Sequence, residues 1–234
     1  MVNKSFLKAI THSFNTYLET GSRSNKKLKI LHGAIAENLI TMLGAEYKVK
    51  SLGVGDGKES RISGRYIDKA VDITILKKNK AIAGIAVKFV MQNYSQNSNN
   101  YFENMLGETA NIKCNKIPYF QIFIIPEKLP YYNKDGKITK WESFSEHNAS
   151  KYCKLSEDDA EHSLHTPTKT LLYVIKLPEP TREINNRVEY NEYYRSVKIK
   201  TTLSKKTFGK FKSSVIVNDY EEFLNKTFHY IKYI

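Results

Sequence analysis

The sequence predicts an α/β domain in which helices flank a mixed central sheet. Two helical patterns, with apolar residues recurring every three or four positions, open the chain at 5–20 and 25–43. Two runs of alternating apolar residues follow at 71–76 and 83–89 and predict a β-hairpin. A longer apolar run at 117–125 has proline near each end, which is typical of a strand covered on both faces. Helices before and between such strands indicate a layered α/β fold.

The composition indicates one globular domain over residues 1–234. Hydrophobic residues make up 41% of the chain, and no linker, low-complexity run or internal repeat divides it. The apolar runs are far shorter than the roughly 20 residues that span a bilayer, and the first residues lack a signal-peptide pattern. The only cysteines, Cys114 and Cys153, suit a reducing compartment. We therefore expect a cytoplasmic protein that does not bind membranes.

The charge of the chain favours a nucleic acid as its partner. Lys and Arg number 37 against 24 Asp and Glu, giving a formal net charge of +13. A field of this sign attracts phosphate backbones. Acidic membranes or proteins are alternative partners, but the sequence has no amphipathic anchor or basic tail that would favour them.

The first two helices end at glycines, Gly21 and Gly44, which are common immediately after a helix. The second helix contains Glu37, for which a solvated position opposite the apolar seam is the simplest interpretation. The following stretch, 51–66, has three glycines at alternate positions. Because it does not connect a strand to a helix, we interpret it as a mobile, turn-rich loop and not as a phosphate-binding loop, with Glu59 in solvent.

The predicted hairpin places an acid near a lysine. If it closes over Asn79, Lys80 and Ala81, Asp72 lies directly opposite Lys88 on one face. A carboxylate can hold a hard cation, and an ammonium group can orient water or neutralise charge that develops on a phosphate. A cross-strand salt bridge is the structural alternative.

The stretches VDITIL and IAVKF, which contain these two residues, resemble the motifs of the PD-(D/E)xK nuclease superfamily, to which most type II restriction endonucleases belong. The resemblance implies a restriction-endonuclease-like fold with its catalytic core at about 27–126. It also implies that Asp72 is the first acid and Lys88 the catalytic lysine. The chain departs from the pattern at Ala86, where the superfamily has Glu, Asp or Gln.

Some members of the superfamily carry the missing carboxylate on the helix after the hairpin. That helix is predicted at about 99–112 and contains Glu103 and Glu108. At 100° per residue, Glu108 falls at the edge of the apolar stripe and Glu103 nearly opposite it. Both remain candidates, with Glu108 favoured. The resemblance also implies an acid from the helix before the hairpin, which makes Glu37 a further candidate metal ligand.

The function implied by the resemblance is that of a Mg²⁺-dependent type II restriction endonuclease. Such an enzyme hydrolyses phosphodiester bonds in double-stranded DNA at a specific site, with Asp72, Glu108 and Glu37 as candidate metal ligands. A homodimer is expected, because symmetric double-strand cleavage uses two sites. Ala86 favours an alternative, a catalytically inactive DNA-binding protein with a nuclease-like fold. A third possibility is an unrelated basic core in which Asp72 and Lys88 form a salt bridge.

The stretch QNYSQNSNN after the hairpin is a candidate DNA contact. Its amides and hydroxyls can bond to bases or phosphates; the candidate residues are Asn93, Ser95, Gln96 and Asn97. An ordinary polar connector that caps the next helix is an equal alternative.

Residues 127–218 are predicted to form a basic, aromatic-rich elaboration of the core. It begins with a turn at 133–136, continues as irregular or weakly helical chain, and includes a buried strand at 171–177. Lys198 and Lys200 alternate with apolar residues in a predicted strand at 197–202, either facing DNA or protecting a sheet edge. A final helix is predicted to begin at Asp219.

Overall fold

The structure is a computed structural model that describes residues 2–197 and 199–233. Its helices are α1 (Val2–Thr20), α2 (Lys26–Leu43), α3 (Tyr94–Lys113), α4 (Glu146–Glu157), α5 (Arg187–Ser196) and α6 (Tyr220–Lys232). Its strands are β1 (Tyr47–Ser51), β2 (Ser60–Ser63), β3 (Asp68–Val71), β4 (Ile73–Lys77), β5 (Lys80–Phe89), β6 (Tyr119–Pro126), β7 (Lys128–Tyr132), β8 (Ile138–Ser143), β9 (Lys169–Lys176), β10 (Thr202–Leu203) and β11 (Val215–Val217).

The main sheet is mixed, which confirms the predicted α/β class. Its strands lie in the order β1-β4-β5-β6-β9-β10, and β11 pairs with β9. The β1, β4 and β5 strands run antiparallel, whereas β5, β6 and β9 are parallel. The β2-β3 and β7-β8 pairs form two separate two-stranded sheets.

The centre of the sheet is covered on both faces, as the apolar run at 117–125 predicts. Ile122 and Ile124 of β6 belong to a core cluster that includes α1, α2 and α6. Phe123 and Ile125, which point to the opposite face, pack in a second cluster with residues of α3 and α4. The site described below lies on the α3 side of this sheet.

The register of the hairpin differs from the predicted one. Lys78 and Asn79 both have positive φ, 49° and 60°, so a two-residue turn of the type favoured in hairpins replaces the predicted three-residue turn. The strands consequently pair Ile73 with Ile85, and a bulge follows at Ile75/Leu76. Extending the pairing by one position places Asp72 opposite Ala86, not Lys88. Because the register moves by two residues, Asp72 and Lys88 still share one face.

Several predicted elements differ in extent from the observed ones. The predicted first strand breaks at Asp72, since 68–71 pairs with β2 and 73–77 pairs with β1 and β5. The α3 helix begins at Tyr94, so most of the amide-rich stretch is its first turns and not a loop. The segment predicted as irregular or weakly helical contains the helix α4, as expected, and also the strand β8, which is not predicted.

The lysine-bearing strand predicted at 197–202 is not found among the described residues 197 and 199–201. The α5 helix continues to Ser196, and the β10 strand that pairs with β9 begins at Thr202. Alternation of apolar residues alone does not make a strand, because strand preference depends on the packing and pairing of the neighbours. By contrast, the caps at Gly44 and Asp219 are confirmed, the latter by the Asp219 carboxylate accepting a hydrogen bond from the Glu222 amide. Among the described residues, no helix is both long and apolar enough to cross a bilayer.

Candidate active site

A cleft of about 350 Å³ opens between β5, α3, the junction of β3 with β4, and α2. Its polar lining comes from five separate parts of the chain, the fifth being β6. The side chains that matter chemically are His32, Asp72, Lys88, Glu108 and Gln121, with Ala86 beside them. The cleft therefore brings together the predicted Asp72, Lys88 and Glu108.

Asp72 is the single residue between β3 and β4. Its Oδ2 accepts a hydrogen bond of 2.7 Å from the Val87 amide, which fixes the carboxylate against β5. Burial raises the pKa of Asp72 to about 6; the Val87 hydrogen bond opposes this rise, and the Glu108 carboxylate adds to it. A bound cation would stabilise the charged form of an acid that is desolvated beside a second carboxylate.

Lys88 forms no salt bridge with Asp72 in the structure. Its Nζ lies 4.1 Å from the centre of the Tyr101 ring, a cation–π arrangement within the cleft. Burial lowers the pKa of Lys88, and the nearby Asp72 and Glu108 carboxylates oppose that effect. The ammonium group therefore lies against an aromatic face and near two negative charges, and it forms no salt bridge with any residue that the structure describes.

Glu108 lies on the cleft side of α3, whereas Glu103 is exposed and does not line the cleft. Glu108 Oε1 is 2.5 Å from Lys69 Nζ, and the Tyr119 hydroxyl donates a 3.4 Å hydrogen bond to Oε2. Burial, with the Glu108 charge adding to it, raises the pKa of Tyr119, so this hydroxyl remains a donor. Of the two candidate glutamates, Glu108 is the one that the fold directs toward Asp72.

The other candidate acid, Glu37, is exposed on α2 and does not line the cleft. His32, on the same helix, lies in its place: its side chain is 1% exposed, and Nδ1 is 3.9 Å from Asp72 Oδ1. Neither ring nitrogen has a hydrogen-bond partner among the described residues. Burial lowers the pKa of His32 to about 4, with Glu59 opposing, so the imidazole is neutral at pH 7.

Glu59 completes a group of three possible metal ligands. Ligand atoms of His32, Glu59 and Asp72 all lie within 4.8 Å of one another. Burial, reinforced by the Asp72 charge, raises the pKa of Glu59. Two carboxylates and a neutral imidazole in this arrangement are a donor set for a divalent cation; oxygen ligands suit Mg²⁺ and Mn²⁺, and the imidazole favours Mn²⁺ over Mg²⁺.

A close glycine contact brings the Glu59 loop to the His32 helix. Gly53 packs on Gly33, and a Cβ added at Gly53 would lie 2.1 Å from the Lys29 carbonyl oxygen. The loop interpreted from sequence as mobile and solvated is thus packed on α2, and Glu59 is half-buried. Only glycine permits such a close approach between two backbones.

Gln121 lies beside the residue that replaces the expected second acid. In the parallel β5-β6 pairing, Ala86 is the partner of Gln121, and Lys88 is the partner of Phe123. Gln121 is buried, lines the cleft, and its Oε1 has no hydrogen-bond partner in the described chain. An amide oxygen thus lies next to the position where the nuclease motif has a carboxylate.

Sequence reasoning missed His32 and Gln121, and it wrongly placed Glu59 in solvent. Two of them had a usable signal. His32 follows Leu31 on the buried seam of its helix, and Gln121 is the single polar side chain within an otherwise apolar strand. The position of Glu59 depends on the Gly33–Gly53 contact, for which the sequence carries no local pattern.

The four residues of the amide-rich stretch that are predicted to contact DNA do not line the cleft. Asn93 precedes α3, and its side chain exchanges hydrogen bonds with the backbone of Tyr132, 2.9 Å and 3.0 Å long. Ser95 contacts Glu142, and Asn97 donates a 3.3 Å bond to the Asn93 carbonyl. Gln96 accepts a hydrogen bond from the Asn93 side chain. Among the described residues, the Asn93 side chain makes no capping hydrogen bond at the start of α3, and a DNA-contacting role for these four residues stays a prediction.

Two lysines were also predicted to contact DNA. Lys200 is exposed in the segment between α5 and β10 and is not part of the cleft lining. Lys198 lies outside the described residues. A DNA-contacting role for either lysine therefore stays a prediction.

Comparison of the chain with family models, with curated proteins and with solved structures finds no match. The chemistry of the cleft is therefore the basis on which the function of this chain has to be inferred.

Proposed function

We propose that the protein is a divalent-cation-dependent endonuclease that hydrolyses phosphodiester bonds in double-stranded DNA at specific sites, as a type II restriction endonuclease does. The observation that carries this proposal is the meeting of Asp72, Lys88 and Glu108 in one cleft. An acid at a strand junction, a lysine across the hairpin and an acid on the following helix are the arrangement that the motif resemblance implies. The net charge of +13 supports a polyanionic substrate.

The cation would be held by Asp72, Glu59 and His32, whose ligand atoms lie close together. The unpaired nitrogens of His32 support this assignment, because a buried polar group without a partner has an unfavourable free energy that a ligand can relieve. When bound, such a cation acts as a Lewis acid on a phosphate oxygen and makes water a better nucleophile. The donor set fits Mg²⁺ and, through the imidazole, fits Mn²⁺ better.

Lys88 would stabilise the negative charge that develops on the phosphate during attack. Its stem is held by β5 and its ammonium group rests on Tyr101, so the charge is positioned before the substrate arrives. Preorganised charge in a partly desolvated cleft stabilises a transition state more than a mobile surface lysine does.

Glu108 and Gln121 together would compensate for Ala86. Glu108 supplies the negative charge, which Lys69 neutralises in the cation-free protein. Gln121 supplies a neutral oxygen on the strand beside Ala86. Together the two side chains would supply the oxygen donor and the negative charge that a second acid at position 86 would provide.

The proposed partner is duplex DNA, and the proposed assembly is a homodimer, since cutting both strands of a symmetric site requires two clefts. Ala86 favours a second candidate function, an inactive DNA-binding protein that keeps the fold of a nuclease. The two candidates agree on DNA binding and differ only in strand scission.

The test is incubation of the purified protein with unmethylated phage-sized DNA in Mg²⁺, Mn²⁺ or EDTA. We expect discrete fragments with either metal and none in EDTA. Asp72→Asn removes a cleft carboxylate, whereas the matched control Glu103→Gln removes an exposed one from α3. Fragments from the control and none from Asp72→Asn support the proposal. Tight DNA binding with no cleavage in any metal supports the inactive binding protein.

A further inference from the structure

The turn between β2 and β3, residues 64–67, exposes two apolar side chains next to each other. Tyr66 is 83% exposed and Ile67 is 65% exposed. They are the only consecutive pair among the exposed large hydrophobic residues of the described chain. Isolated exposed apolar residues are ordinary on protein surfaces, whereas a contiguous pair at the tip of a hairpin suits a binding contact.

The turn is held in place by the end of α3. The Asn111 side chain accepts a 2.9 Å hydrogen bond from the Tyr66 amide and donates a 2.9 Å bond to the Ile67 carbonyl. The Arg65 amide donates a 2.7 Å bond to the Asn111 carbonyl. The contact is so close that a Cβ at Gly64 would lie 2.0 Å from Asn111 Nδ2.

These contacts order the turn in the free protein, although its two largest side chains remain exposed to solvent. An ordered turn loses little conformational entropy when it binds. More of the free energy gained by burying its apolar side chains therefore contributes to affinity.

Positive charge surrounds the tip. Arg65 precedes Tyr66 and is exposed, and Lys58 and Arg61 are exposed at the start of the same hairpin. The one exposed acid in the hairpin, Asp68, accepts a 3.1 Å hydrogen bond from Arg61 through its backbone carbonyl. An apolar tip with basic flanks complements a nucleic acid, whose bases are apolar on their faces and whose backbone is anionic.

The tip is joined directly to the candidate active site. The β3 strand runs from the turn to Asp72, and Ala70 and Val71 line the cleft. The five residue-to-residue steps from Ile67 to Asp72 span at most roughly 17 Å at about 3.3 Å per step. This corresponds to about five base-pair steps of roughly 3.4 Å. A duplex with its scissile phosphate in the cleft would therefore extend past the tip.

We propose that Tyr66 and Ile67 form a wedge that inserts against the base stack of duplex DNA a few base pairs from the scissile phosphate, while Arg65 contacts the backbone. This inference rests on the proposed nuclease function and specifies how its substrate is held. Apolar side chains that enter a base step partly unstack it and bend the duplex, which allows more protein surface to contact the DNA. The free energy needed to unstack two neighbouring base pairs depends on their sequence, so insertion of the wedge would also favour binding at sequences that unstack easily.

The test compares two double variants with closely matched exposure. Tyr66→Ala/Ile67→Ala removes the wedge. Tyr233→Ala/Val188→Ala removes side chains that are 87% and 64% exposed elsewhere on the protein. Both are made in the Asp72→Asn background, so that binding to a 30-base-pair duplex is measured by fluorescence anisotropy without cleavage. A 2-aminopurine base near the expected contact reports unstacking, and the melting temperature checks folding.

We expect the wedge variant to bind at least about tenfold more weakly and to lose the 2-aminopurine signal, since stacking on one base contributes this much. Its affinity should fall with salt as steeply as that of the parent, because no charge is removed. The matched control should bind within twofold of the parent, and Tyr66→Phe should retain most of the affinity.

Equal affinity and equal 2-aminopurine signal for the wedge variant overturn the wedge while leaving the nuclease proposal in place, provided the wild-type protein cleaves DNA. A wild-type protein that neither binds nor cleaves duplex DNA overturns both. If the wedge variant instead dissociates a dimer in sedimentation experiments, with DNA affinity per chain unchanged, the tip is a protein contact and the wedge is refuted.

Discussion

Replacing Asp72 with Asn should stabilise the cation-free protein while abolishing cleavage. The pKa of Asp72 rises from its ordinary 3.8 to about 6, chiefly through burial, which means that the folded state disfavours the charged carboxylate. Each pH unit corresponds to about 1.4 kcal/mol, so the upper bound on the cost is about 3 kcal/mol. The side chain is 29% exposed, and solvent screening reduces this to about 1–2 kcal/mol.

The side-chain amide that Asp72→Asn introduces has an oxygen that can still accept the hydrogen bond from Val87, so the substitution removes charge and keeps the contact. In a chain of 234 residues, about 1–2 kcal/mol corresponds to a rise in melting temperature of roughly 2–8 °C. The assay is thermal unfolding in EDTA at pH 7.5. Addition of Mn²⁺ should then raise the melting temperature of the wild type and leave that of Asp72→Asn nearly unchanged.

The sign of the pH dependence follows from the raised pKa. Between pH 3.8 and about 6 the folded protein binds more protons at Asp72 than the unfolded chain does, so this group destabilises the fold progressively as pH rises through that window. The advantage of Asp72→Asn should accordingly shrink toward pH 4. Asp68→Asn, which removes an exposed carboxylate from the same hairpin, is the matched control and should change little. An Asp72→Asn protein that is no more stable than the wild type at pH 7.5 refutes this reasoning.

Three further outcomes follow from the cleft. Lys88→Met should lower the single-turnover cleavage rate by about 10²–10³ with DNA affinity nearly unchanged, because its charge acts on the transition state; an unchanged rate rules out that role. Gln121→Ala should weaken Mn²⁺ binding measured by calorimetry, and adding Ala86→Glu to that variant should restore it. If Ala86→Glu does not restore binding, Gln121 is not part of the metal site. Burial lowers the pKa of His32 to about 4, so the free energy of unfolding should fall as pH falls from 6.5 toward 4. His32→Leu should make the free energy of unfolding depend less on pH in this range and should abolish Mn²⁺ binding. An unchanged pH dependence would show that His32 is not a buried neutral imidazole.

The features that the sequence predicts well are those set by local periodicity. Apolar spacing predicts the helices α1, α2 and α6 and the buried strands β6 and β9. Burial of an apolar helix stripe or an apolar strand stabilises the fold, regardless of which neighbouring residues cover it. The shared face of Asp72 and Lys88 was predicted despite the wrong register, since a shift of two residues preserves the direction of every side chain.

The rest of the candidate active site could not be predicted, because it depends on contacts between elements that are distant in sequence. Glu59 reaches His32 through the packing of Gly53 on Gly33, and Gln121 reaches Ala86 through parallel pairing across the α3 crossover. Neither contact leaves a periodic pattern. The described residues of the strand predicted at 197–202 make the same point: 197 and 199–201 alternate apolar and polar side chains but are not in a strand.

Whether the Asp72 cleft carries out the proposed cation-dependent phosphodiester hydrolysis can be measured with a plasmid. Supercoiled plasmid is incubated in Mn²⁺ with wild-type protein, with Asp72→Asn and with Asp68→Asn, and nicked and linear products are followed over time. We predict product from the wild type and from Asp68→Asn, and none from Asp72→Asn. Equal product from all three proteins, or none from the wild type in Mn²⁺ and Mg²⁺, would show that the Asp72 cleft is not the site of phosphodiester hydrolysis.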